Sequence, residues 1–263
     1  MNEKPNCNFC QSPPEVHTLI FSNVQEKETN LVQCDNCGLR FFSPRPTWEW
    51  IMQNIWTESN AGMADVAKNC YENGLLVGEP KNAEVQKANI QNYYRHLFAK
   101  VKDNNNNAIP SSILEIGCNV GWFLKLCRDQ GVQQLFGAEI NYEAVKIANN
   151  EMGLPNVNQS DFGSYQGELT YDWVVMLDYL EHSYVPFNNL KLAYDLVVPN
   201  GLLVIKTFLE ELDPEHKMMS PPFHAHHFFG HVLYKMITDV GFTILRWDIE
   251  NDQVFVVAKR EEK

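Results

Sequence analysis

The chain contains no apolar run of 18 residues and no basic, apolar and small-residue leader, so neither a membrane span nor a secretion signal is expected. A soluble, cytoplasmic protein with no membrane partner is the expectation. Cations are also scarce: 21 Lys and Arg stand against 33 Asp and Glu, a formal net charge of -12. Only four Lys or Arg fall in the first 60 residues. Proteins that hold nucleic acid by neutralising phosphates need clustered cations, so nucleic acid is an unlikely partner. Missing too is the G-x-G-x-x-G spacing of a dinucleotide site. What is present is enough apolar material, 44% of 263 residues, for one substantial core and a small appendage.

The segment 113–124, ILEIGCNVGWFL, reads as a buried strand that runs into a glycine turn and opens a helix. Ile113, Leu114 and Ile116 supply the strand, and Gly117 and Gly121 let the backbone turn tightly and approach a nucleoside. Glu115 lies within the strand end, where a charge needs a polar partner. A second apolar strand over 134–140 carries Glu139, 22 residues after Gly117, placed to accept hydrogen bonds from the two hydroxyls of a ribose. A short third strand near Val157 leads to Asp161 and Phe162. A fourth, 172–177, runs into Asp178-Tyr-Leu-Glu-His182, and the turn Leu196-Val-Val-Pro-Asn-Gly201 leads into a fifth, 202–208. A helix over 232–240 stops at Gly241, and 242–248 with 253–258 read as a closing antiparallel hairpin.

In this order the segments resemble the class I S-adenosylmethionine (SAM) dependent methyltransferases. That family carries E/D-x-G-x-G-x-G and then an acid at the tip of the second strand, here Glu115, Gly117, Asn119, Gly121 and Glu139. Its strand-four V-L-E-H and its L-K-P-G-G turn are matched by 178–182 and 196–201. Asn119 and Asn200 stand where glycines are usual, and asparagine tolerates the left-handed backbone that such turns require. The resemblance implies an α/β fold with a Rossmann-like seven-stranded sheet, six strands parallel and one antiparallel. It also implies SAM as cofactor, with Asp161 and Phe162 against the adenine and Asp178 at the reactive end. Tyr142, just after Glu139, is expected against the adenine, whereas Trp122 is read as core.

Four of the seven cysteines fall as Cys7-x-x-Cys10 and Cys34-x-x-Cys37, the second pair followed by Gly38, the spacing of a four-thiolate metal knuckle. Zinc suits a closed tetrahedral thiolate site, and iron takes the same ligands. Disulfides are the alternative, disfavoured in a cytosolic chain. Cys70, Cys118 and Cys127 are read as small buried hydrophobes, Cys118 within the cofactor turn. The division expected is 1–46, a zinc ribbon cross-linked by its metal, with a strand over 39–42 and a rigid exit at 43–46; 47–107, a helical connector and cofactor lid; and 108–263, the SAM-binding domain. Within the connector, Thr47 caps a helix with Trp48, Ile51, Met52, Ile55 and Trp56 at helical spacing. Residues 57–80 read as a loop over the cofactor. A second helix buries Val85, Tyr93, Tyr94, Leu97, Phe98 and Val101 and ends before the solvated linker 103–107.

A four-cysteine ribbon ahead of such a domain resembles the methyltransferases that include sugar C-methyltransferases, which implies a small polar acceptor, a sugar or nucleotide-sugar. Methyl transfer needs alignment of an acceptor atom and, where that atom bears a proton, a base. His182, past strand four, is the first candidate. His224 and His227, in a cluster that also holds His216, His226 and His231, are candidates for the acceptor pocket. A metal shared with Glu210 or Glu211 is a lesser reading. Two alternatives stay open: a methyltransferase that reads RNA or protein through its ribbon, and a non-catalytic SAM-binding regulator.

Overall fold

The computed structural model describes residues 2–24, 28–57, 60–74, 82–163, 165, 169–209 and 223–262. The N-terminal module is built from β1 (Asn2–Glu3), β2 (His17–Phe21), β3 (Leu31–Cys34), β4 (Arg40–Phe42) and β5 (Arg45–Pro46). β2, β3 and β4 form an antiparallel meander, and β5 pairs with β1, so the expected rigid exit at 43–46 is also a strand that anchors the chain's second and third residues. The module does not close on itself. Its sheet has the order β11-β4-β3-β2, and the fourth strand, β11 (His226–His227), comes from far along the chain.

Three helices connect the module to the main sheet: α1 (Trp48–Asn54), α2 (Ala61–Asn73) and α3 (Ala83–Asp103). Thr47 caps α1 as expected, accepting from the Trp50 amide. α2 replaces the loop expected over 57–80, with 75–81 outside the described residues. Asn60 caps its start and Gly74, at φ +70°, ends it. Its buried positions are only Ala67 and Cys70, so its apolar stripe is made of small residues that a periodicity search passes over. On α3, Leu97, Phe98 and Val101 are buried and Tyr94 packs beside them. Val85 and Tyr93 are instead 52% and 40% exposed. Val85 lies in the first turn, where α3 begins before its packed stripe.

The main sheet contains β6 (Ser112–Ile116), β7 (Gln134–Glu139), β8 (Val157–Gln159), β9 (Tyr171–Leu177), β10 (Val197–Phe208), β12 (Phe242–Glu250) and β13 (Gln253–Arg260), in the order β12-β13-β10-β9-β6-β7-β8. β8 through β10 are parallel neighbours and β13 alone is reversed between β10 and β12. This is the six-plus-one sheet expected. Side chains alternate across it. Leu114, Ile116, Val174 and Met176 face α6 (Pro186–Leu196), α7 (Gly230–Val240) and the N-terminal module, while Ile113, Trp173 and Val175 face α2, α3, α4 (Trp122–Asp129) and α5 (Tyr142–Asn150). β10 begins at Val197 rather than Leu202, with its register shifted between them, and Asn200 takes φ +66° in the irregular stretch.

Gly137, in β7, makes room for the turn before α4, for β8 and for α4 itself: a Cβ there would stand 2.7 Å from Cys118 Sγ, 2.9 Å from Val157 Cγ2 and 3.2 Å from Leu124 Cδ1. Gly137→Ala is therefore expected to destabilise the protein by about 1–3 kcal/mol through overpacking, read as a lower denaturation midpoint in urea.

Candidate active site

The turn from β6 to α4 takes left-handed angles at alternate residues, Gly117 (φ +72°), Asn119 (φ +50°) and Gly121 (φ +85°). Asn119 thus adopts the conformation a glycine would, and its own Oδ1 accepts from the Val120 amide at 2.7 Å, which holds the turn. The Asn119 amide donates to Glu139 Oε2 at 2.8 Å, and the Asn141 amide donates to Glu139 Oε1 at 2.8 Å. One carboxylate at the end of β7 therefore links the β6–α4 turn to the start of α5. Asn141 caps α5 and also donates to the Met63 carbonyl of α2, so α2 is tied to the same point. Glu139 is 7% exposed; burial pushes its pKa up, and the amides of Asn141 and Asn119 pull against that. Each of its oxygens has accepted one bond and retains a lone pair for a further donor.

Behind the turn, Glu115 Oε2 has no hydrogen-bond partner among the described residues. Burial, and then the neighbouring Glu139, push the Glu115 carboxyl well above the ordinary range. Tyr179 packs onto Gly117, where a Cβ would come within 2.9 Å of its ring, and its hydroxyl accepts from Asn189 Nδ2 at 2.7 Å. Phe162, at φ +54°, is buried edge-on to Tyr179. Asp161 accepts from Trp48 Nε1 of α1 at 3.1 Å. Asp178, at the end of β9, is clasped by Lys206 Nζ of β10 at 2.6 and 2.8 Å. Tyr142 is exposed at the start of α5, 5.5 Å from Lys146 Nζ. Trp122 donates to the Cys70 carbonyl at 3.0 Å from a buried position, the core role read from the sequence.

The third group of residues lies past β9 and β10. A short helical turn, Leu180–His182, carries Glu181 and His182. Glu181 is 2% exposed; Thr207 donates to its Oε2 at 2.7 Å, and its Oε1 has no partner among the described residues. His182 is exposed, and its Nδ1 donates to the Phe223 carbonyl at 2.9 Å, because a carbonyl only accepts. The buried His224 ring lies 4.6 Å from that of His182 and stacks near Phe208. One donor atom from each of Glu181, His182 and His224 lies within 4.8 Å of the others. His227 is not part of this group: it is buried in β11 with its ring edge-on to Phe42. His226 Nδ1 donates to the Ser183 carbonyl at 2.7 Å, and burial, with the charge of Arg45, depresses its pKa far below the ordinary value. His216, Glu210 and Glu211 lie outside the described residues.

The N-terminal module reaches this group directly. The Phe42 amide donates to the Ala225 carbonyl, Tyr184 donates to the Pro46 carbonyl at 3.0 Å, and the Arg45 guanidinium lies 4.0 Å over the Tyr184 ring. The turn bearing His182 and the segment bearing His224 are thus clamped by the same module. Its cysteines converge: Cys7 and Cys37 sulfurs are 3.4 Å apart, Cys10 and Cys34 sulfurs 3.5 Å, and all four lie within 4.8 Å of one another. None of the seven cysteines is in a disulfide. Thiolates bound to zinc at about 2.3 Å stand about 3.8 Å apart, so the donor set fits a tetrahedral ion. Lys206, Tyr179 and the reach of Trp48 escaped the sequence reading. A lysine inside the apolar strand 202–208 was the one visible sign.

The sheet order with its single reversed strand, together with the β6–α4 turn and Glu139, defines the SAM-dependent methyltransferase class. The family described as "Methyltransferase domain" matches residues 86–246, more than half of the chain, and the protein belongs to it. Among solved structures, magnesium protoporphyrin IX methyltransferase from Synechocystis PCC 6803, with bound S-adenosylhomocysteine, is 18% identical with a TM-score of 0.58, over 81% of this chain and 97% of that one. The N-methyltransferase NodS from Bradyrhizobium japonicum WM9 is 14% identical with a TM-score of 0.53, over 65% and 87%. SpnF, described as a [4+2]-cyclase, is 14% identical with a TM-score of 0.54, over 65% and 82%. At these identities the likeness is one of fold. No curated protein sequence matches the chain. No helix among the described residues is long and apolar enough to cross a membrane.

The raised Glu115 carboxyl has a consequence for stability. An acid whose pKa is higher folded than unfolded holds its proton in the native state, so folding stability falls as pH rises above the ordinary value of 4.5. Glu115→Gln is expected to remove that loss. The cofactor-free variant should be more stable than the parent at pH 8 and closely matched near pH 4, measured by urea denaturation at both.

Proposed function

We propose that the protein transfers the methyl group of SAM to a small polar acceptor, a sugar or nucleotide-sugar, placed against Glu181, His182 and His224. The observation that carries this reading is the convergence of those three side chains past the ends of β9 and β10, on the side of the sheet where the cofactor turn opens. In this reading Glu139 accepts from the ribose hydroxyls, Gly117, Asn119 and Gly121 let the nucleoside approach, and Glu115 offers its unpartnered oxygen to the cofactor. Asp161, Phe162 and Tyr142 flank the adenine, and Asp178, held by Lys206, lies toward the methionine end.

When bound, SAM supplies a methyl group already activated by its sulfonium. Transfer would leave the sulfur as a neutral thioether, and a proton borne by the acceptor atom would pass to a basic side chain of the Glu181, His182 and His224 group. The chain's own work is to align the acceptor and to receive it in a polar, partly enclosed group of side chains. His227 enters only through the sheet that supports His224.

The four-cysteine site holds zinc in this reading, and the ribbon is a wall of the acceptor site rather than a reader of macromolecules. In support, the edge of β4 is occupied by β11, and the module's contacts run to Tyr184 and to 225–227 of the same chain. The left-handed Asn119 removes the motive for a degenerate, non-catalytic cofactor turn.

Incubation with methyl-labelled SAM, a panel of nucleotide-sugars and cell extract, with the product identified by mass, tests the acceptor; label in RNA or protein overturns the small-molecule reading. His182→Ala is expected to lower kcat by roughly 100-fold. Calorimetry should find its SAM affinity unchanged. Metal analysis should find about one zinc per chain, and Cys34→Ser should lose it along with ordered packing of the ribbon, seen as fast amide exchange over 31–42.

A further inference from the structure

We infer that Glu181, His182 and His224 form a second metal site, one that binds a divalent cation of the manganese-to-zinc series through two imidazoles and a carboxylate. The inference rests on the reading that the acceptor lies against these residues, and it adds what the acceptor must offer: two adjacent oxygens, as in a vicinal diol or an α-hydroxy ketone.

Three observations support it. The donor atoms are already gathered within 4.8 Å. Nitrogen and oxygen donors bound at about 2.0–2.2 Å stand roughly 3–3.5 Å apart around one ion, so closing the group takes torsional adjustments on the order of 1 Å. Second, Glu181 is almost wholly buried, yet its Oε1 has no hydrogen-bond donor among the described residues. A buried carboxylate oxygen is costly to leave unmatched, and a cation matches it. Third, two ligands are oriented from behind. Thr207 holds the other oxygen of Glu181, and the Phe223 carbonyl accepts a hydrogen bond from His182 Nδ1–H, which leaves the lone pair on Nε2. Outer partners of this kind fix the tautomer and direction of metal ligands.

The donor set separates this site from the cysteine cluster. Thiolates select zinc, whereas two imidazoles and one carboxylate suit harder divalent ions and leave coordination positions open. Those positions are where the two oxygens of an acceptor belong. Neither the fold nor SAM binding depends on this ion.

The test uses the full protein carrying one zinc per chain, with excess zinc removed, and Mn2+ as the probe, followed by loss of the free aqueous Mn2+ signal in electron paramagnetic resonance in excess Mg2+. About one Mn2+ per chain is expected, with affinity at least tenfold weaker in Glu181→Gln and His182→Ala and unchanged in the control His96→Ala, an exposed histidine of α3. His182 is exposed, so its variant decides the matter if Glu181→Gln misfolds. Absence of Mn2+ binding, or binding equally tight in the His182 variant, overturns the inference. SAM affinity, measured in parallel, separates the two ideas: intact SAM binding and methyl transfer to a sugar without Mn2+ binding would remove the cation site and leave the proposed function standing. Mn2+ binding without transfer to any sugar would do the reverse.

Discussion

Two backbone amides on one buried carboxylate hold this molecule's working face together. Glu139 receives the amide of Asn119 from the β6–α4 turn and that of Asn141 from the start of α5. The arrangement fixes the separation of two helix N-termini and, through the Asn141 side chain, the position of α2 above them. A charge so deeply buried is tolerable only because these donors are supplied. The orphaned oxygen of Glu115 lies beneath the same turn, so the face is polar where the sheet around it is dry.

A second constraint comes from the strand that the N-terminal module lacks. Its three-stranded meander is completed by β11, which belongs to the main domain and continues directly from His224. A module this small buries only a minor cluster of its own, Val24, Leu31 and Phe42, and it gains a larger one by packing Cys7, Phe9, Leu39 and Phe41 into the cluster that also contains Phe228, Val232 and Leu233. The consequence for function is mechanical. The turn carrying His182 and the segment carrying His224 are held from one side by the sheet and from the other by the ribbon, through Tyr184, Arg45 and His226.

Much of this was legible in the chain. A strand that is apolar throughout, as at 173–177, or broken only by Glu115, as at 113–116, reads as central and parallel, and the spacing of Gly117, Gly121 and Glu139 marks the turn that follows. The caps at Thr47 and Gly241 were readable because capping is local chemistry. α2 was not readable, because its contacts are made by Ala67 and Cys70, and small side chains leave no periodic signature. Val85 and Tyr93 have the right spacing, yet Val85 stays exposed and Tyr93 lies half exposed with Lys206 over its ring, which no pattern on one helix reveals. His227 looked equivalent to His224, yet pairing of 226–227 with 40–41 turned its ring toward Phe42.

The sequence alone determined the class of fold, the glycine turn between β6 and α4 and the two cysteine pairs, since each is written in residues close together along the chain or in a repeating pattern. Only the tertiary structure decided which polar groups meet. Asp178 is clasped by a lysine 28 residues away, Asp161 by a tryptophan 113 residues away, and Glu181 by Thr207, 26 residues away. Partnerships of that kind depend on how strands and loops from distant segments come to lie side by side. They are set by packing, and no local preference encodes them.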